Sequence, residues 1–275
     1  MNPAGAEGGY DYFFNTSTTP YGTTYGGNSS VQYTGDGFFV MRYQASENSS
    51  DSGVPQSVSD KAGWNTIPFN SAGGSPNAYG ACEALDSQTS GYDIHLTTNR
   101  EWMTVARQVA QNSTNWADGT VGSTGSSGGL YQGNRDSAGG LDRAVNLQNY
   151  PDGVDYPNAA DVGDATSDEV RTHVLSSGDR VWDLSGDLWM WVDAEEDGTT
   201  MSTNSSKIYE KNTESSTVSG GDGLGTDYGF DNGDAALRGG LWLNGDGAGV
   251  FHALSRTPDT SLTFTGFRCS AVPVS

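Results

Sequence analysis

The chain is poor in positive charge. Against 34 Asp and Glu stand 13 Lys and Arg, the only lysines are Lys61, Lys207 and Lys211, and the 275 residues carry a formal charge of -21. A surface this acidic repels phosphate backbones and anionic headgroups, so nucleic acid and membrane surfaces are excluded as partners. Its plain use is solubility, although the skew also suits a saline habitat. Long apolar runs are missing too: no stretch reaches the length of a bilayer span, so membrane insertion is not expected. Met1 to Tyr10 lacks the basic start and apolar run of a signal peptide. Display on a virion or cell surface would then depend on a larger assembly, a non-classical route or a longer precursor.

Cysteine occurs twice, at Cys82 and Cys269, too few and too far apart for a zinc cluster. Either the two pair, closing a long loop worth roughly 3–5 kcal/mol, or they are two separately buried thiols. No G-x-S-x-G elbow, P-loop or H-E-x-x-H motif is present. Carboxylate pairs are so common in this composition that they point to no chemistry.

What the chain has is aromatic surface, 7 Trp, 13 Tyr and 9 Phe, enough to build a core. With 39 Gly and long polar stretches, that core is carried by short elements between long loops. Residues 1–36 show no sustained period and read as an extended or weakly stranded arm; residues 37–275 read as one domain. Phe38 to Tyr43 alternate as a strand covered on both faces, and 45–63 read as polar loop. A first helix is expected from Pro76 in its first turn through Ala78, Ala81, Cys82 and Leu85, then a strand with Ile94 and Leu96. Thr98 and Glu101 form a capping box ahead of Trp102, Val105, Ala106 and Val109, one face of a second helix. Residues 117–168 read as loops pinned by Leu130, Tyr131 and Leu141; 172–182 read as a hairpin turning at Ser177-Gly178, with a tight turn at Gly186 and a strand beyond it. Val250-Phe251, and Phe267 with Val272, read as short closing strands.

Three blocks, ACEALDSQTSGYDIHLTTNREWMTVARQ, VWDLSGDLWMWV and LRGGLWLNGDGAGVFHALSRTPDTSLTFTGFRC, in this order resemble the formylglycine-generating-enzyme type of C-type lectin fold. More narrowly they resemble the variable proteins of diversity-generating retroelements, including those of archaeal viruses. The resemblance implies an α+β fold, with two main helices on short antiparallel strands, and a non-catalytic ligand-binding role. It also implies a variable region over about 238–269, diversified through adenine-directed reverse transcription. Framework residues would be Arg238, Trp242, Phe251 and Arg268, the two arginines bonding loop carbonyls or carboxylates. Ligand-binding, variable positions would be Leu241, Leu243, Asp246, Gly247, His252, Leu254, Ser255, Arg256, Thr257, Asp259, Thr260, Leu262 and Phe264. Independently, Leu243, Leu254, Leu262 and Phe264 stand among polar residues with no clean period, as expected where residue type serves binding; the competing reading is ordinary strand core.

The related formylglycine-generating enzymes use a pair of reactive cysteines in the region matching 238–256, where this chain has none. Other relatives build an iron site from histidines, and His95, His173 and His252 are well separated. In the family, a turn like WDLSGDLWMW can hold calcium. Asp183, Gly186 and Leu188 match, but Met190 replaces a glutamate and a thioether is a poor calcium ligand. Asp183 would then bond backbone amides across the Gly186 turn. The expected partner is a protein or glycan receptor on a target surface, without a cofactor. The second reading is a tail-fibre or surface-assembly module, and a formylglycine-generating-type enzyme ranks below it.

Overall fold

A computed structural model describes residues 10–13, 38–58, 61–123, 129–133, 171–201, 223–226, 228 and 231–273. The expected pin Leu141 lies outside these.

Two four-stranded sheets and two helices make the frame. In the first sheet, β1 (Tyr10–Phe13) pairs with β2 (Phe38–Met41), β2 with β12 (Cys269–Pro273), and β12 with β5 (Tyr92–Leu96), all antiparallel. A stretch of the N-terminal arm thus supplies this sheet's edge. The second sheet runs β10 (Ala253–Arg256), β9 (Ala235–Arg238), β8 (Trp189–Val192), β11 (Thr265–Phe267). Its β8–β11 pair is parallel, where only antiparallel pairing was expected. The hairpins β3–β4 (Ser46–Glu47, Pro55–Gln56) and β6–β7 (Thr172–Val174, Arg180–Trp182) complete the described strands.

The central strands divide two cores. Along β8, Met190 and Val192 face a core built on the second helix, while Trp189 and Trp191 face a core built on the first. β2 splits likewise, Phe38 and Val40 to one side and Phe39 and Met41 to the other. A strand alternates its side chains, so one buried on both faces reads as an unbroken apolar run. WMWV and FFVM are such runs.

The second helix, α2 (Asn99–Gln111), begins as its sequence dictates. Thr98 Oγ1 accepts from Glu101 N (3.1 Å) and the Glu101 carboxylate accepts from Thr98 N (2.8 Å). Its stripe of Trp102, Val105, Ala106 and Val109 is buried in the first core. The first helix, α1 (Ala78–Asp86), starts later than its proline suggested: Asn77 is the cap, accepting from Gly80 N (2.7 Å), and Pro76 precedes it after a cis bond. An asparagine oxygen satisfies a first-turn N–H, which proline's ring cannot do.

Cys82 on α1 pairs with Cys269 at the start of β12, with Cα atoms 5.7 Å apart. The C-terminal strand is thereby fastened to the helix lying over β5. The 45–63 stretch is not all loop, since it contains the β3–β4 hairpin. Val250 and Phe251 form no strand; they pack as core residues on the turn before β10.

Candidate functional site

The frame delivers the C-terminal segment from β9 onto one face. After Arg238 the chain reverses through Gly239 and Gly240, both at positive φ. A Cβ on Gly239 would stand 2.6 Å from Leu184 O, and one on Gly240 2.9 Å from Ala248 Cα. Only glycine fits such an approach without strain. A 3-10 stretch over Trp242–Gly247 follows, then β10, then a loop over 257–264 that leads into β11.

Most of the bonds that fix this segment use its backbone. Trp242 N donates to Asp187 O (3.2 Å) and Phe251 N to Leu224 O (2.9 Å). The carbonyls of Pro258 and Leu262 accept from Phe69 N and Thr66 N, and Phe264 O accepts from Trp189 N. Asn65 Nδ2 donates to Thr263 O (2.8 Å). The long 257–264 loop is therefore held by the 65–69 stretch and by β8, mainly through its backbone, with the Ser261 hydroxyl donating to Thr66 O (2.8 Å) and the Phe264 ring packing on Trp189 as the side-chain contributions.

Along β10 the pleat sorts the side chains: Ala253 and Ser255 are buried, Leu254 is half-buried and Arg256 exposed. Leu254 and Arg256 share the outward face. Leu243 is 52% exposed and Tyr228, whose ring meets His252, 62%. Thr257 and Asp259 are exposed, while Gly247, Thr260, Leu262 and Phe264 are partly so. Of Asp246 only the backbone is described.

Three expected ligand-binding positions do not lie on this face. Leu241 is enclosed in the core beside α1. His252 is fully buried, its Nδ1–H donating to Gly247 O (2.8 Å). Ser255 points inward, where its hydroxyl accepts from Asp231 N (3.0 Å) and donates to Asp234. Each has its partners within the molecule; Leu241 and His252 lie on turns that carry no period, and the four-residue β10 is too short for a sequence pattern to reveal that Ser255 faces in.

At the centre of the face lies Trp189, which the sequence reading counted only as part of an apolar strand. Its ring stacks on His252 (centroids 6.1 Å), receives the edge of Phe264 (5.7 Å) and lies under the Arg256 guanidinium (5.7 Å). Its Nε1–H donates to Asn244 Oδ1 (2.9 Å), and the same oxygen accepts from Leu241 N (2.6 Å). Tyr228 adds an edge-on contact to His252 at 5.5 Å.

The expected framework residues sit beneath. Arg238 is buried and donates to Asn99 Oδ1 (2.8 Å) and Phe251 O (3.4 Å). Arg268, also buried, donates to the carbonyls of Met41, Arg42, Trp182 and Asp183. Burial lowers its pKa to about 10, against the raising effect of Asp183 and Asp187, and it remains a cation. Phe251 is core, and Trp242 packs partly buried against the same core as Leu241.

Asp183 does not bond amides across the Gly186 turn; its Oδ1 accepts from Arg171 Nε at 2.5 Å. Arg171 also faces Asp187 at 3.5 Å. Met190, at the position where calcium would need a carboxylate, is enclosed in the first core. The guanidinium is the cation that Asp183 faces, and this donor set does not fit calcium. Arg171 carried no sequence signal, because its partners come from folding. Burial pushes Asp187 up to about 6, with Arg171 opposing the shift, and pushes Asp193 to about 6 against three backbone N–H donors.

The histidines are dispersed. His95 Nε2 faces Glu101 at 3.0 Å, and although burial lowers its pKa, the Glu101 carboxylate raises it to about 9. His173 is buried with Nε2–H donating to Tyr131 O (2.8 Å), and burial holds it near 4 and neutral. Among the described residues no three His, Cys, Asp or Glu side chains gather as metal ligands.

The class so defined is a mixed α+β protein of two helices and short, mostly antiparallel strands, with one backbone-held face near its C-terminus. Neither a family model nor a curated protein matches the sequence. Among solved structures the chain is similar to variable protein 1 of Treponema denticola, at 13% identity and TM-score 0.35 over 86% of this chain and 85% of that one. It is also similar to the Major Tropism Determinant U1 variant (15%, 0.32) and P3c variant (16%, 0.34). It covers 86% of its own length in both but only 51% of theirs, so it spans about half of those chains.

Proposed function

We propose that this protein is a non-catalytic recognition protein of the C-type lectin type whose C-terminal face binds a protein or glycan receptor on a target surface. One observation carries the reading: the loop between β10 and β11 is held through its backbone by Thr66, Phe69, Asn65 and Trp189. Apart from the Thr257–Thr260 hydroxyl pair at 2.7 Å and the Ser261 hydroxyl on Thr66 O at 2.8 Å, the exposed side chains on it are not what fixes its path. Such a scaffold tolerates exchange of residue type where specificity is needed, which is how loops on rigid frames serve binding. The resemblance to retroelement variable proteins supplies the mechanism of exchange. The variable set is then Leu243, Asp246, Gly247, Leu254, Arg256, Thr257, Asp259, Thr260 and Leu262, with the partly buried Phe264 at its edge and without the enclosed Leu241, His252 and Ser255.

Sequencing sibling copies of the gene tests this. Adenine-linked variation concentrated at those codons, with Arg238, Phe251 and Arg268 constant, is the expected result. Uniform drift along the chain would overturn the reading in favour of a structural assembly module.

A further inference from the structure

The exposed positions of the face belong to separate stretches of chain, and something must set their relative positions. The 3-10 stretch at 242–247, the strand β10 and the loop end at Phe264 meet at a single side chain, the indole of Trp189. Trp189 lies outside the C-terminal segment, at the start of β8, and is only 7% exposed, so it offers a ligand little surface of its own. Each of its sides has a different task. The Nε1–H holds Asn244, which also closes the turn through Leu241 N. One contact stacks His252, another takes the edge of Phe264, and the π-face attracts the guanidinium of Arg256. Its backbone N–H fixes Phe264 O as well.

We infer that Trp189 is the positioning residue of the recognition face, coupling its three stretches into one surface. The inference rests on the recognition role proposed above. It distinguishes Trp189 from Trp191 two residues along the same strand. Trp191 is fully buried, donates to Ile67 O (2.9 Å) and packs on Phe69, away from the outward positions. Both tryptophans support the fold, but only Trp189 sets the geometry that a ligand meets.

The test is a displayed library randomised at Leu243, Leu254, Arg256, Thr257, Asp259 and Leu262, selected on immobilised maltose-binding protein in four backgrounds: native, Trp189→Leu, Trp189→Phe and Trp191→Leu. Melting temperatures are measured for each parent below which all selections are run. The native and Trp191→Leu libraries are expected to give comparable numbers of specific clones. The Trp189→Leu library should give at least roughly tenfold fewer, because unfixed surface elements bind weakly, and Trp189→Phe, which keeps an aromatic ring but loses the N–H and the second ring of the indole, should recover part of the loss. In parallel, the upfield ring-current shift of the Arg256 side-chain protons should vanish in Trp189→Leu and persist in Trp191→Leu. Equal yields from Trp189→Leu and native, or an equal fall in Trp191→Leu, overturn the inference while leaving the recognition role standing. No specific clones from the native library overturn that role, and this inference with it. If Trp189→Leu does not fold, the Trp189→Phe yield and the Arg256 shift in Asn244→Leu decide alone: unchanged values in both overturn the inference.

Discussion

The stretch 242–264 and the stretch 265–271 adjoin in sequence and are held in opposite ways. The first, apart from the buried Val250, Phe251, His252, Ala253 and Ser255, is tied down mainly by backbone bonds and sends Leu243 and Arg256 into solvent. The second is buried at every position, and its side chains do the holding: Phe267 in the core, Arg268 on four carbonyls, Cys269 in a disulfide. A side chain that secures the fold cannot be exchanged freely, and one that secures nothing can. The boundary falls where β11 enters the sheet beside β8. The arginines make the point within one residue type, because Arg268 is internal architecture and Arg256 is surface.

The largest effect expected in either stretch is at Arg268. Replacing it with Met removes every carbonyl bond it donates and leaves Asp183 and Asp187 with less compensating charge, at a cost of roughly 3–5 kcal/mol. Urea denaturation of Arg268→Met measures this, and a loss under about 1 kcal/mol would erase the contrast with Arg256. Next comes the disulfide, which closes a loop of sequence separation 187. Chain-entropy reasoning gives about 5 kcal/mol for such a loop and measured cases fall in roughly the 2–5 range. Denaturation with and without reductant, or of the Cys82→Ala, Cys269→Ala double variant, should show a fall in that range.

His95 sharpens the comparison by testing the inner frame away from the face. Its pKa in the folded chain, about 9, lies above the ordinary 6.5, so folding binds the imidazolium. The resulting stability is fully present below about pH 6.5 and is lost as the pH rises through about 9, for a total of roughly 3 kcal/mol. Asp187, Asp193 and His173 titrate near 6, 6 and 4, below this limb, and do not obscure it. Thermal melts between pH 6.5 and 9.5 should decline for the native chain and be flatter for His95→Gln. Parallel slopes would remove the Glu101–His95 pair from the frame.

How much of this was legible in the residues depended on whether a signal was local. The α2 capping box, its apolar stripe and the 172–182 hairpin are set by neighbours in sequence, and the structure has them. The strand β9 was missed because Ala235, Ala236 and Leu237 close a polar, glycine-rich stretch and are too few to show a period. The salt bridge of Arg171 to Asp183 and the Trp189 hub were invisible because each joins segments brought together only by folding. The resemblance pointed to the 238–269 segment, yet it could not sort inward from outward positions on β10, which required the pleat and its register with β9.

The smallest effect is the most informative about the face. Leu243 touches solvent over half its surface, and Arg256 offers its guanidinium to the Trp189 ring from the exposed side. An exposed cation–π contact contributes about 0.5–1 kcal/mol, and an exposed leucine away from a core contributes less than roughly 0.5. The double variant Leu243→Ser, Arg256→Ser should therefore shift stability by no more than about 1 kcal/mol while, under the recognition role proposed above, changing what the face binds. Phe264 is a different case: it packs partly buried against both cores and against Trp189, so Phe264→Ala should cost more than the double variant although it lies on the same face. If the double variant instead proves as damaging as Phe264→Ala in the same urea titration, the outward positions are part of the frame, and the division between exchangeable and fixed side chains falls elsewhere.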